Sequence, residues 1–345
     1  MKRIAYALLL AGVLVACRTQ VAAERKPAKA ASQAGNLEWL SRWISAWEAM
    51  AGNVLKLPPA AAPIMLFYDS QYVYTTSEVS APQGEPFAGP TFFGNTLPWR
   101  KSAHPDTLTL PDGQKVPVQL MTFAAPAKES DVEAFFVMAA PAFWNEAGIH
   151  SEEVGLEKML TGVFLHEFTH TRQMNGIGRI ITEYERSHRF DFPVGDDMIQ
   201  AYFAGDSSYV KKFREEVDLF YRAALSPDEA EMKRLANQGM RMLKERQNQY
   251  LMRKNEVLGE MDNVFLTMEG MGQYLMARYL QSPEGGTVPK ATAIGATRRG
   301  KHWWSQEEGL ALVLLYERLA PNPDWTILFT DKPADIVTLI EAKLK

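Results

Sequence analysis

The chain has a single cysteine, Cys17, in 345 residues. No intramolecular disulfide is possible, so the fold rests on its core, and a lone thiol near the start needs its own explanation. Positive charge is not in surplus: 37 Lys and Arg stand against 41 Asp and Glu, a formal net charge of −4, with both signs interspersed. That balance provides no basic stripe for a nucleic-acid backbone, and no nucleic-acid partner is expected. Beyond the first residues no run of 18 apolar residues occurs, so no later segment is long enough to span a bilayer as a helix. Internal repeats are absent, and histidine is scarce, with six in the chain.

What is present begins with Met1-Lys2-Arg3 and an uncharged run from Ile4 to Ala16, dominated by Leu, Ala and Val. The run is too short for a membrane span and has the length of a secretory hydrophobic region. It ends in Leu14-Val15-Ala16-Cys17, which resembles the bacterial lipobox. That resemblance implies residues 1–17 as a lipoprotein signal peptide and Cys17 as the lipidated residue, anchored in a membrane and facing the periplasm. Arg18 after the cysteine resembles outer-membrane sorting. The alternative is ordinary signal cleavage after Val21-Ala22-Ala23, giving a soluble periplasmic or secreted protein. Residues 18–36, rich in Ala, Lys and Gln, read as a flexible tether. The remainder, 37–345, has the apolar content of a globular body with a sizeable core.

Within that body the element order is α+β. Leu37, Leu40, Trp43, Ile44, Trp47 and Met50 form one stripe, predicting a helix over 37–50. From about 58 to 141, prolines, glycines and short β-prone runs predict strands at 64–68, 72–76, 107–110, 116–123 and 132–138. After Gly178 the chain reads as mainly helical: 209–225, a long charged helix from Asp228 to about Val257, 260–280, and 335–344. Ser305-Gln306-Glu307-Glu308 reads as a capping box before the apolar run 310–315. The body thus divides into 37–178, a small sheet plus a helix, and 179–345, a helical part.

The most informative stretch is His166-Glu167-Phe168-Thr169-His170. Leu156, Met159, Leu160, Val163, Phe164 and Phe168 recur at helical spacing, with a start signal at Ser151-Glu152-Glu153 and a stop at Gly176 and Gly178. Two histidines four apart on a helix share a face, so both imidazoles can reach one metal. The glutamate between them can hold a water on that metal.

This HExxH stretch resembles the zincin metallopeptidases. The resemblance implies a zincin-like fold, one zinc ion per chain, His166 and His170 as ligands, and Glu167 as general base and proton shuttle. Gln173 and Gly176 occupy the places of the metzincin glycine and third histidine, so that branch is excluded. The gluzincin branch takes its third ligand from a glutamate on a later helix; candidates are Glu183, Glu185, His188, Asp191 and Glu269. Glu269 is favoured, because Phe265, Leu266, Gly272 and Gln273 surround it at helical spacing and a carboxylate so placed needs a counter-charge, from a metal or from a cation such as Arg278. Gly270 and Gly272 imply close packing there. Gln273 stands where thermolysin-like gluzincins carry an aspartate that orients a ligand histidine. Tyr274, Tyr184, His188 and His302 are candidate transition-state donors. Zincin-like architecture also implies a substrate-binding edge strand before the metal helix, for which 133–139 is the candidate.

The expectation is an exported zinc metallopeptidase acting on peptide or protein substrates and membrane-anchored through Cys17. Peptidoglycan cross-bridge amidase or endopeptidase activity, or a zinc-stabilised binding or assembly lipoprotein with little turnover, are the alternatives.

Overall fold

In a computed structural model, residues 37–127 and 134–345 are described. The leader, Cys17, the tether and residues 132 and 133 of the last predicted strand lie outside them. Helix α1 (Glu38–Asn53) precedes eight strands: β1 (Ile64–Tyr68), β2 (Tyr72–Thr75), β3 (Glu85–Pro86), β4 (Arg100–Ala103), β5 (Thr107–Thr109), β6 (Lys115–Pro117), β7 (Thr122–Pro126) and β8 (Ala134–Ala139). Helices follow: α2 (Pro141–Glu146), α3 (Leu156–Gln173), α4 (Arg179–Ser187), α5 (Met198–Phe203), α6 (Ser207–Leu225), α7 (Glu229–Arg246), α8 (Leu258–Gln281), α9 (Lys290–Thr297), α10 (Trp304–Leu319) and α11 (Ile336–Leu344). A small N-terminal sheet followed by helices makes the described chain α+β.

Six strands form one mixed sheet in the order β3-β4-β2-β1-β8-β7, and β5 pairs with β6 alone. Strand β8 runs parallel to β1, with Ile64 opposite Phe135, and antiparallel to β7, with Phe123 opposite Val137. Every residue of β8 is buried, as a strand between two neighbours requires. The edge next to it is therefore β7, and the expectation of an edge strand at 133–139 is corrected. The single strand expected over 116–123 is two, because β6 pairs with β5 and β7 with β8 in separate sheets, and residues 118–121 cross between them.

Helix α3 separates its two faces by chemistry. Phe164 and Phe168 lie about 200° around the helix from His166 and His170 at about 100° per residue. The phenylalanines pack into an aromatic layer, Phe164 stacked on Trp43 of α1, Phe168 edge-on to Trp47, and both edge-on to Phe136 of β8. The histidine face turns to α8, where Gly162 admits Met276 and Gly272 admits the His166 ring; a Cβ on Gly272 would lie 2.7 Å from His166 Nδ1.

The start of α3 is not the expected one: Ser151–Val154 forms a turn, and the helix begins after Gly155, whose φ of 79° suits a residue without Cβ. Its end differs too. Met174–Gly178 is a π-helical turn leading directly into α4, so the helical run continues to Ser187. Gly176 is there for packing, since a Cβ would lie 2.2 Å from the Thr330 carbonyl oxygen. The predicted long helix from Asp228 likewise ends α-helically at Arg246 and passes through a π turn, Gln247–Leu251. No helix among the described residues is long and apolar enough to cross a membrane.

Candidate metal centre

His166, His170 and Glu269 meet between α3 and α8, all with no solvent exposure. His166 Nε2 lies 3.1 Å from Glu269 Oε2, His170 Nε2 lies 3.4 Å from Glu269 Oε1, and the two Nε2 atoms are 3.2 Å apart. Metal–nitrogen and metal–oxygen bonds of about 2.0–2.1 Å in a tetrahedral site put neighbouring donors about 3.3 Å apart. The two imidazole nitrogens are that far apart, and the carboxylate turns a different oxygen to each of them; with one donor atom taken from each residue, all three lie within 4.8 Å of one another, close enough to share one metal ion. Among the described residues it is the one group of three or more His, Cys, Asp or Glu side chains whose donors come this close.

The tautomers agree with this. His170 Nδ1 lies 2.8 Å from Gln173 Oε1. With the amide oxygen accepting, Nδ1 carries a hydrogen, and Nε2 is the nitrogen turned toward Glu269 and His166, the one a metal would take. Gln173 thus holds the histidine. Gln273, expected in that role, instead donates through its Nε2 to Gln306 Oε1, and Gln306 Nε2 donates to Glu269 Oε2 at 3.1 Å. Burial alone would raise the Glu269 carboxyl; His170, His166 and Gln306 outweigh it and hold it below the ordinary carboxylate range.

Glu269 has no lysine or arginine ion-pair partner among the described residues; Arg278, one candidate, pairs with Glu317 instead. Glu183, Glu185, His188 and Asp191 take no part in the triad. Glu183 and Asp191 are exposed, and His188 contacts Ser187 Oγ. Glu167 is buried between the two histidines in sequence, 5% exposed. The candidate donors are engaged elsewhere. Tyr274 donates its hydroxyl to Glu317, Tyr184 donates to Glu260, and His302 lies in an exposed turn whose carbonyl accepts from Gln200.

Three residues near the centre escaped the sequence reading. Gln306 did because Ser305-Gln306-Glu307-Glu308 has the pattern of a surface cap. In the structure α10 starts after Trp303 with no side-chain cap, and all four residues are buried. Glu307 pairs with Arg298 and Glu308 with Arg246. The others are Asp196 and Asp197, just before α5. Burial raises Asp196 well above the ordinary range, with Glu269, Asp197 and Glu167 adding to it, and burial with Glu269 pushes Asp197 up to about 7. A signal existed in the adjacent Asp pair after Gly195, but nothing local connects it to α3 or α8.

Compared with protein-family models, curated proteins and solved structures, the chain matches none significantly.

Proposed function

We propose that the protein is a zinc-dependent metallopeptidase, with His166, His170 and Glu269 as ligands and Glu167 as general base. The observation that carries this reading is the meeting of His166, His170 and Glu269, with one donor atom from each within 4.8 Å of the others, around a buried carboxylate without a lysine or arginine partner. Three protein donors leave one tetrahedral position for water or substrate, the arrangement of a hydrolytic rather than a closed structural site. Zinc held there supplies Lewis-acid activation of a water and of the scissile carbonyl. Glu167 takes the proton that the attacking water gives up and passes it to the departing amine. Gln173 keeps His170 in the tautomer whose Nε2 is free to bind. The strand β7, the sheet edge beside β8 among the described residues, packs close to α3, and an extended peptide would pair along it. Export and anchoring through Cys17 belong to the same proposal.

The decisive experiment is Glu167→Gln in the zinc-loaded protein, with peptide hydrolysis and metal content measured together. We expect one zinc per chain to be retained and the hydrolysis rate to fall about 10²–10⁴-fold, the range of a lost general base. Undiminished hydrolysis would refute the mechanism. A wild-type protein that takes up no divalent metal would refute the metal centre itself.

A further inference from the structure

We propose that Gln306 is a positioning residue for Glu269, with Gln273 acting only through it, so that a directed chain of two amides selects which carboxylate oxygen faces the metal. The inference rests on the metal-centre reading above and concerns residues outside the HExxH pattern.

A buried carboxylate has two equivalent oxygens, and an amide can offer either its NH₂ or its C=O. Neither choice is fixed by one contact alone. Gln306 Nε2 donates to Glu269 Oε2 at 3.1 Å, while Gln306 Oε1 accepts from Gln273 Nε2. With its oxygen engaged, Gln306 has only its NH₂ to turn toward Glu269; a flipped amide would set oxygen against oxygen. Oε2, which also lies 3.1 Å from His166 Nε2, is thereby held, and Glu269 Oε1, 3.4 Å from His170 Nε2, has no hydrogen-bond partner among the described residues, so its lone pairs remain for a cation. All three side chains are buried: Glu269 is fully enclosed, Gln273 is 2% exposed and Gln306 is 7% exposed. Water therefore does not substitute readily for either amide.

The spacing of this chain is set by backbone contacts. Gln273 sits one turn beyond Glu269 on α8, and Gln306 reaches across from the first turn of α10. The two helices touch at Gly270 and Gly309, where a Cβ on Gly270 would lie 2.5 Å from the Gly309 carbonyl oxygen. The ion pairs of Glu307 with Arg298 and Glu308 with Arg246 fix the residues next to Gln306. The amide thus reaches Glu269 from a rigid turn.

The test is zinc affinity by chelator competition for the full chain, Gln306→Leu, Gln273→Leu and the double variant, with visible absorption of the cobalt(II)-substituted forms. Gln306→Leu should weaken zinc binding about 10–100-fold, the range for loss of an outer hydrogen bond to a ligand, and alter the cobalt spectrum. Gln273→Leu should give a smaller loss, and none beyond Gln306→Leu in the double variant, because the two act in series. If Gln306→Leu does not fold, Gln306→Asn, whose amide is one methylene too short to reach, should show the same loss. Wild-type affinity and an unchanged cobalt spectrum in a folded Gln306 variant would overturn the inference and leave the metal centre standing. A full, independent loss from Gln273→Leu would overturn the serial arrangement. Failure of the wild-type protein to bind zinc or cobalt would remove both this inference and the reading beneath it.

Discussion

Helices α8 and α10 contribute to two buried polar clusters that solve the same problem in opposite ways. In one, Arg246 of α7 meets Glu216 of α6 at 2.7 Å, Glu308 of α10 at 2.9 Å and Asp262 of α8 at 3.5 Å. In the other, Glu269 of α8 meets two imidazoles and the Gln306 amide. An ionised carboxylate out of water needs a positive partner. The first cluster carries its cation in the chain. The second sets two imidazoles and an amide against Glu269 and brings it no lysine or arginine. Where a buried carboxylate serves cohesion the chain brings it an arginine; where only imidazoles and an amide meet it, the group could hold a metal ion.

The comparison breaks if the first cluster does not in fact hold helices together. Arg246→Leu strands three carboxylates at once, and losing one partner of a buried pair costs about 3–5 kcal/mol. Urea denaturation should show a loss of that size, while the fraction that remains folded still takes up one zinc. A loss under about 1 kcal/mol, or loss of zinc from well-folded protein, would erase the distinction between the two clusters.

A glycine sharpens the other half. Gly272→Ala places a methyl 2.7 Å from the His166 ring, which cannot yield without leaving Glu269. Overpacking of this kind costs about 1–3 kcal/mol. Zinc affinity should fall with stability, whereas Gly52→Ala, where nothing lies within 4 Å of the new Cβ, should leave both unchanged or slightly improved. Equal zinc affinity in Gly272→Ala and wild type, measured by chelator competition, would show that the α3–α8 contact does not set the site.

How much of this was readable in advance follows from the range of each interaction. The HExxH pair is local: spacing alone puts His166 and His170 on one face. Glu269 could be picked out because its own helical neighbours leave a carboxylate unaccounted for, although the chain gives no distance between residues 103 apart. Strands β1, β2, β5 and β8 were legible from β-prone runs, while β4 was not, since Arg100-Lys101-Ser102-Ala103 has no apolar alternation. The Ser305–Glu308 segment misled for a physical reason. A capping box and a buried polar network use the same residue types, and only tertiary partners such as Arg246, Arg298 and Glu269 distinguish them. Gly176 misled similarly, because a glycine can end a helix or admit a neighbour, here the Thr330 carbonyl. Tyr274 resembled a site residue by sequence proximity to Glu269, yet five positions along a helix turn it away, toward Glu317.

The smallest expected effect separates the clusters by the sign of their pH dependence. Burial pushes the Glu308 carboxyl well above its ordinary range; Arg246 opposes this, and Glu216, charged and hydrogen-bonded to it, adds to the rise. A carboxyl with a raised folded pKa contributes stability that is full below its unfolded pKa of about 4.3 and is lost as pH climbs through the folded value. Glu269 is held low and has the opposite slope in the metal-free protein: its contribution is present above the unfolded pKa and fades as acid protonates the folded form. Glu308→Gln keeps a donor for Glu216 but cannot ionise, so it removes only the first slope. Relative to wild type the variant should lose or gain little at pH 5 and gain about 1 kcal/mol toward alkaline pH, the scale of one hydrogen bond. Melting temperatures from pH 5 to 9 in the presence of a chelator would show it. Parallel wild-type and variant profiles would mean that Arg246 balances its carboxylates fully, and that the two clusters differ in composition but not in electrostatic surplus.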